Sequence, residues 1–307
     1  MAVATGGLRY ELVEGWEKLP ESFEFGYTHG IEVDHADRVY VLHTKSPNLV
    51  VFERDGRFVA GYNVEGIGSG AHGFYLHRES DGAEYLYITD TNAATVIKTT
   101  LQGEVVLRLN PPILPDVYVE GKAYKPTDLA VAPNGDIFVT DGYGQNWIHH
   151  YSAAGEYLRS FGGTGKEPGQ LKCPHGISVK LTGAEPELYV ADRGNNRFQV
   201  FTLNGEHKRF IDHNMDKPCS FYIRDGLTYF PDLNSRITIF NDEDQFVTHL
   251  GEDQQAYKQQ GWPNLPKSYY RPGRFSSPHG LCVDSHGDIY VAEWISDGRL
   301  TKLKRLS

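Results

Sequence analysis

The chain has no run approaching the roughly 20 consecutive apolar residues that cross a bilayer, which excludes a membrane-spanning helix. Cysteine is scarce: Cys173, Cys219 and Cys282 are too few for a disulfide framework. The opening stretch, MAVATGGLRYELVEGW, lacks the basic and apolar regions of a secretory signal. Both absences point to a reducing, cytoplasmic location with no membrane partner. Basic residues are in deficit as well. Lys and Arg number 30 against 40 Asp and Glu, and the net charge of −10 argues against a nucleic-acid partner. No long segment of 3.6-residue apolar period separates the short apolar runs, which disfavours a parallel α/β fold. The expected partner is a small-molecule substrate, and composition leaves the oligomeric state unknown.

What is abundant belongs to strands and turns. The 307 residues include 33 glycines, 16 prolines and 19 tyrosines. One pattern recurs six times, from Thr28, Ala71, Pro126, Pro174, Pro218 and Pro278. Each copy has a short apolar strand, a turn, a Tyr/Val-rich strand ending on an acidic residue, a polar loop and a further apolar strand. The residues that follow the six leading positions are His29, His72, Thr127, His175, Cys219 and His279, spaced by 43, 55, 48, 44 and 60 residues. Four short strands per 40–50 residues is the period of a propeller blade. The expected fold is all-β, a six-bladed β-propeller in a single domain over residues 1–307. The last copy holds only three strands, so Leu8–Leu19 is expected to supply its fourth, closing the ring and hiding two sheet edges.

In such a blade the innermost strand begins at the face where the second strand ends. The six aligned residues are therefore expected to ring the axis at one face. The loops carrying Thr89-Asp90, Asp141-Gly142-Tyr143, Asp192-Arg193-Gly194 and Glu293-Trp294 lie just outside them. The two long insertions, about 109–124 and 251–276, belong to the same face. Four of the six axial positions are histidine, and imidazoles converging from several blades would form an open site for a first-row divalent metal. Asp90, Asp141, Asp192 and Asp232 recur at one repeat position and read as turn scaffold.

PHGISV, LYVADRGNNRFQVF and HGLCVD resemble the NHL-repeat propellers, over almost the whole chain. The histidine pattern is similar to one branch of them, the peptidyl-α-hydroxyglycine α-amidating lyases. That resemblance implies a catalytic zinc on His72, His175 and His279. It implies a catalytic tyrosine at Tyr143, after a Pro126-Thr127-Asp128 motif, and an active-site arginine at Arg193. Departures are present. The family's arginine in the first blade is replaced within His43-Thr44-Lys45, so its substrate contact is missing or passes to Lys45. Gly280 stands where the family has an aspartate of a structural calcium site, which leaves calcium in doubt. His29 is extra, a substrate contact or a fourth ligand.

The implied chemistry is carbon–nitrogen lysis of a carbinolamide or a small α-hydroxy acid. A metal orients and acidifies the hydroxyl. Tyr143 acts as base if cationic neighbours depress its pKa, and Arg193 holds a carboxylate by two parallel hydrogen bonds. Two alternatives stand beside this reading. One is a non-catalytic NHL module. The other is a calcium-dependent lactonase, which needs hard oxygen ligands at the axis.

Overall fold

The computed structural model describes residues 2–5, 7–181 and 185–306, with side chains from residue 7 onward. The fold is all-β, a six-bladed β-propeller, and its only helical elements among those residues are three single 3₁₀ turns. Two compact units divide the chain. One comprises Met1–Asn63 and Phe221–Ser307, the other Val64–Ser220, and each holds three antiparallel sheets.

In the Val64–Ser220 unit, the second sheet runs Ala71–Arg78, Glu84–Asp90, Thr95–Thr99 and Val105–Leu109. The third runs Asp128–Val131, Ile137–Thr140, Trp147–Tyr151 and Tyr157–Gly162. The fourth runs Pro174–Lys180, Glu187–Asp192, Arg197–Thr202 and His207–Ile211. In the other unit, the first sheet runs Thr28–Val33, Val39–His43, Leu49–Phe52 and Phe58–Tyr62. The fifth runs Tyr222–Arg224, Leu227–Asp232, Arg236–Asn241 and Phe246–Leu250.

Burial follows position within each sheet. Second strands such as Glu187–Asp192 are buried along their whole length, whereas fourth strands such as Phe58–Tyr62 alternate. A strand covered on both faces reads as a continuous apolar run, and one half in solvent reads with period two.

The sixth sheet carries the closure expected of the N-terminus. Leu8–Val13 pairs antiparallel with Arg299–Leu306, from Arg9↔Leu306 to Val13↔Lys302, and those residues lie beside Ile289–Glu293 and Pro278–Val283. Ala2–Thr5 adds a fifth strand outside it. The strand is shorter than the Leu8–Leu19 segment read from the sequence. Gly15, at φ 59°, turns the chain, and Trp16 leaves the sheet to pack on Phe52 and Tyr290.

Tyr10, fully buried on the closing strand, packs in one core with Tyr229, Ile239, Phe275, Leu281, Val291 and Leu303. Tyr10→Ala is expected to cost about 3–5 kcal/mol, as other large aromatic truncations in cores do. Equilibrium urea unfolding reads this directly. A loss below about 1 kcal/mol would mean that the closing strand contributes little to the sixth sheet.

Candidate functional site

The four aligned histidines share one backbone device. The first strands of the first, second, fourth and sixth sheets each carry one extra residue relative to their partners. The shifts fall between Thr28 and Gly30, Ala71 and Phe74, Pro174 and Ile177, and Pro278 and Gly280. Each bulge contains the histidine. A bulge breaks the ladder locally and re-aims a side chain, which is why bulges gather at functional sites.

The His-Gly pair then has a physical meaning in each unit. In the Val64–Ser220 unit, His72 Nδ1 lies 2.7 Å from the Thr127 carbonyl and His175 Nδ1 lies 2.8 Å from the Cys219 carbonyl. In the other unit, His279 Nδ1 lies 3.0 Å from the His29 carbonyl. A carbonyl only accepts, so Nδ1 carries the proton in all three and Nε2 is the unprotonated, accepting nitrogen. The glycine that follows admits the same carbonyl. A Cβ on Gly73 would stand 2.6 Å from Thr127 O, one on Gly176 2.2 Å from Cys219 O, and one on Gly280 2.5 Å from His29 O.

The Val64–Ser220 unit brings four of the sequence-identified residues together. Tyr143 Oη lies 3.2 Å from His72 Nε2, 3.1 Å from His175 Nε2 and 3.1 Å from Arg193 Nη2. The guanidinium can only donate, so the phenol oxygen accepts from it. The single hydroxyl proton then points to one imidazole or the other. Tyr143 is 41% exposed as a residue, while its hydroxyl lies within hydrogen-bonding distance of all three groups. Burial raises the Tyr143 pKa and Arg193 opposes the rise, with burial the larger effect. The depression expected from cationic neighbours is therefore present but outweighed.

Arg193 and Arg197 make different contacts. Arg197 Nε pairs with Asp192 at 2.8 Å. The Arg193 guanidinium instead contacts Tyr143, Cys173 Sγ at 3.4 Å and Cys219 Sγ at 3.8 Å, and among the described residues it pairs with no carboxylate. Burial alone would lower its pKa, but Tyr143, Cys219 and Cys173 hold it above the ordinary value. The two sulfurs at the arginine were not legible in the sequence, where Cys173 and Cys219 are far apart from Arg193 along the chain. The position of Cys173 is recognisable only from the turn that brings the fourth sheet's first strand back beside Arg193, where the Arg193 amide donates to Cys173 O.

The other unit holds His29, His279 and Lys45. The His29 and His279 rings meet edge to face at 4.9 Å, and burial lowers the His29 pKa to about 4, leaving it neutral at pH 7. Lys45 pairs with Glu24 at 3.0 Å in solvent. The insertion at 251–276 lies over this end of the unit. Asn264 Nδ2 donates to Tyr27 Oη at 2.8 Å, and Trp262 packs on Trp294.

The repeat aspartates act as scaffold. Asp90 accepts from the amides of Gly68, Asn92 and Ala93, and Asp192 accepts from the amide of Lys172. Glu293 takes the same part in the sixth sheet, accepting from the Ser276 and Ser277 amides.

The NHL repeat family matches residues 275–298. NHL repeat-containing protein 3 of Homo sapiens is 29% identical over 211 residues, 64% of this chain and 58% of that protein. The peptidyl-glycine alpha-amidating monooxygenase of Mus musculus is 40% identical over 183 residues, 55% of this chain and 17% of that protein. A probable peptidyl-alpha-hydroxyglycine alpha-amidating lyase of Caenorhabditis elegans is 32% identical over 167 residues, 53% of this chain and 44% of that protein. The chain thus spans less than two-thirds of the length of these relatives. A streptogramin B lyase structure matches with a TM-score of 0.61 over 99% of this chain and 100% of that chain at 14% identity, a likeness of fold alone. The chain is a six-bladed β-propeller with an NHL-repeat match at residues 275–298 and similarity to α-amidating lyases over part of its length, and no helix among its described residues is long and apolar enough to cross a membrane.

Proposed function

We propose that this protein is a metal-dependent lyase that breaks the C–N bond of a small carbinolamide or related α-hydroxy acid. The observation that carries the reading is the meeting of Tyr143 Oη with two imidazole Nε2 atoms and a guanidinium, all within 3.1–3.2 Å. His72 and His175 suit a divalent metal because Nδ1 of each is committed to a backbone carbonyl and Nε2 is not. His279 is assigned as the third ligand by its repeat position and its identical Nδ1–carbonyl bond. Zinc or another first-row divalent ion suits three imidazoles better than calcium does. When bound, such an ion lowers the pKa of a coordinated hydroxyl.

The chain's own residues supply the rest. Arg193 holds the substrate carboxylate through two parallel N–H donors. Tyr143, as its anion, takes the hydroxyl proton of N–CH(OH)–COO⁻. The C–O bond becomes a carbonyl, the C–N electron pair leaves with nitrogen, and the proton passes to that nitrogen. The products are an amide and glyoxylate, and no redox partner is consumed. His29 and Lys45 are assigned to substrate contact at the same end of their unit. None of the three cysteines forms a disulfide, which fits a reducing, cytoplasmic setting.

The test pairs metal analysis of the purified protein with assay of α-hydroxyglycine amides, ureidoglycolate and related hydroxy acids. A first-row metal and glyoxylate, or an analogous carbonyl product, are expected. Calcium alone would favour lactone hydrolysis, and a metal-free inactive protein would favour a binding module.

A further inference from the structure

We propose that Tyr118, carried by the insertion at 109–124, is a positioning residue that sets the Tyr143 loop through Asp141. The inference rests on the reading of Tyr143 given above. Asp141 is fully buried, and the loop from Gly142 to Asn146 winds around its carboxylate. Oδ1 accepts from the Lys125 amide at 2.7 Å, and Oδ2 accepts from the Gln145 amide at 2.7 Å and from Tyr118 Oη at 2.9 Å. Gly144 allows the wrap, since a Cβ there would stand 1.9 Å from Asp141 Oδ1.

Two of the equivalent aspartates are held by an arginine, whereas Asp90 takes backbone amides. Asp192 pairs with Arg197 Nε at 2.8 Å, and Asp232 with Arg236 Nε at 2.9 Å. Those arginines open the third strand of the fourth and fifth sheets. The third strand of the third sheet opens with Trp147 instead. The ionic partner is gone, and a neutral phenol delivered by the insertion takes its place. That phenol is itself oriented. Tyr118 donates to Asp141, so it accepts from His149 Nε2, 2.8 Å away. His149 Nδ1 then accepts from Ser160 Oγ at 2.6 Å, and Tyr157 Oη donates to Ser160 at 2.9 Å. Every proton in this chain points toward Asp141. His149 is fully buried, and desolvation lowers its pKa to about 3, so the chain is neutral at pH 7.

The consequence is a carboxylate balanced by dipoles alone. Burial lifts the Asp141 pKa to about 6, against the Lys125 and Gln145 amides and Tyr118. The titratable groups facing it are Tyr118 and Tyr124 from the insertion and Tyr151 from the third strand of its sheet, with His149 behind Tyr118. All are neutral at pH 7. Removing the Tyr118 hydroxyl takes a donor from the ionised form, so the pKa of Asp141 rises further.

The experiment is amide hydrogen exchange of Tyr118→Phe and the unaltered protein between pH 5 and 8, with the pH–rate profile recorded in parallel. In the unaltered protein, protection of the Lys125 and Gln145 amides should fall as pH drops through about 6. In Tyr118→Phe the fall should begin about one pH unit higher, and kcat should drop about tenfold at pH 7 with KM and metal content unchanged. Identical protection curves in the two proteins, or loss of protection throughout the third sheet, would overturn the proposal. The exchange readout needs no turnover, so failure of the lyase reading and failure of the Tyr118 proposal remain distinguishable.

Discussion

Tyr143→Phe is expected to lower kcat about 10²–10⁴-fold, the range for loss of a general base or acid, while substrate binding changes little. The substitution removes one oxygen. The ring stays in the mouth of the site, and the tautomers of His72 and His175 stay set by the Thr127 and Cys219 carbonyls. What is lost is the hydroxyl that lies within 3.1–3.2 Å of both Nε2 atoms and of Arg193. Because burial raises the pKa of Tyr143, its conversion to an effective base depends on positive charge at the imidazoles as well as on Arg193. The basic phenol should therefore appear as a limb of the kcat profile that moves with metal identity, since a more strongly acidifying ion lowers it further. Steady-state kinetics on the best substrate of the hydroxy-acid panel measures both effects. A rate within threefold of the unaltered enzyme would remove Tyr143 from the proton transfer and leave Arg193 and the histidines to account for activity.

Much of this site was legible in the sequence because the chain repeats. Alignment of the six copies placed His29, His72, His175 and His279 at one position, and the bulge in each first strand is the structural form of that alignment. Tyr143 and Arg193 were singled out from the loop position and the resemblance, and their side chains lie 3.1 Å apart. Three features were out of reach. A His-Gly pair does not announce that the glycine makes room for a neighbouring sheet's carbonyl, because that contact joins residues 44 to 55 positions apart in one unit. Cys173 and Cys219 become neighbours of Arg193 only through the turns between strands. Tyr118 sits in an insertion with no counterpart in the other repeats, so no periodicity could report it. The signal that was present is negative: Trp147 stands where Arg197 and Arg236 stand in their own repeats, and a buried aspartate without its arginine must find another donor.

The second large effect concerns the imidazoles. The double substitution His72→Ala/His175→Ala is expected to abolish stoichiometric metal binding and to lower kcat at least 10³-fold, since it removes two of three assigned ligands. Taken alone, that result would not separate ligation from general damage to the strand openings. Gly176→Ala makes the separation. It keeps every imidazole, but its Cβ would stand 2.2 Å from the Cys219 carbonyl that fixes His175 Nδ1. Main chain cannot yield as the end of a flexible side chain does. The carbonyl must move, and His175 loses the partner that sets its tautomer and ring orientation. Loss of such a partner typically weakens metal affinity 10–100-fold, so Gly176→Ala should bind metal measurably but weakly, with activity recovered at high metal concentration. Competition with a chromophoric chelator measures the affinity. Unchanged affinity in Gly176→Ala would mean that the carbonyl bond is structural only. Full metal content in the double variant would mean that the ion, if one binds, is held elsewhere.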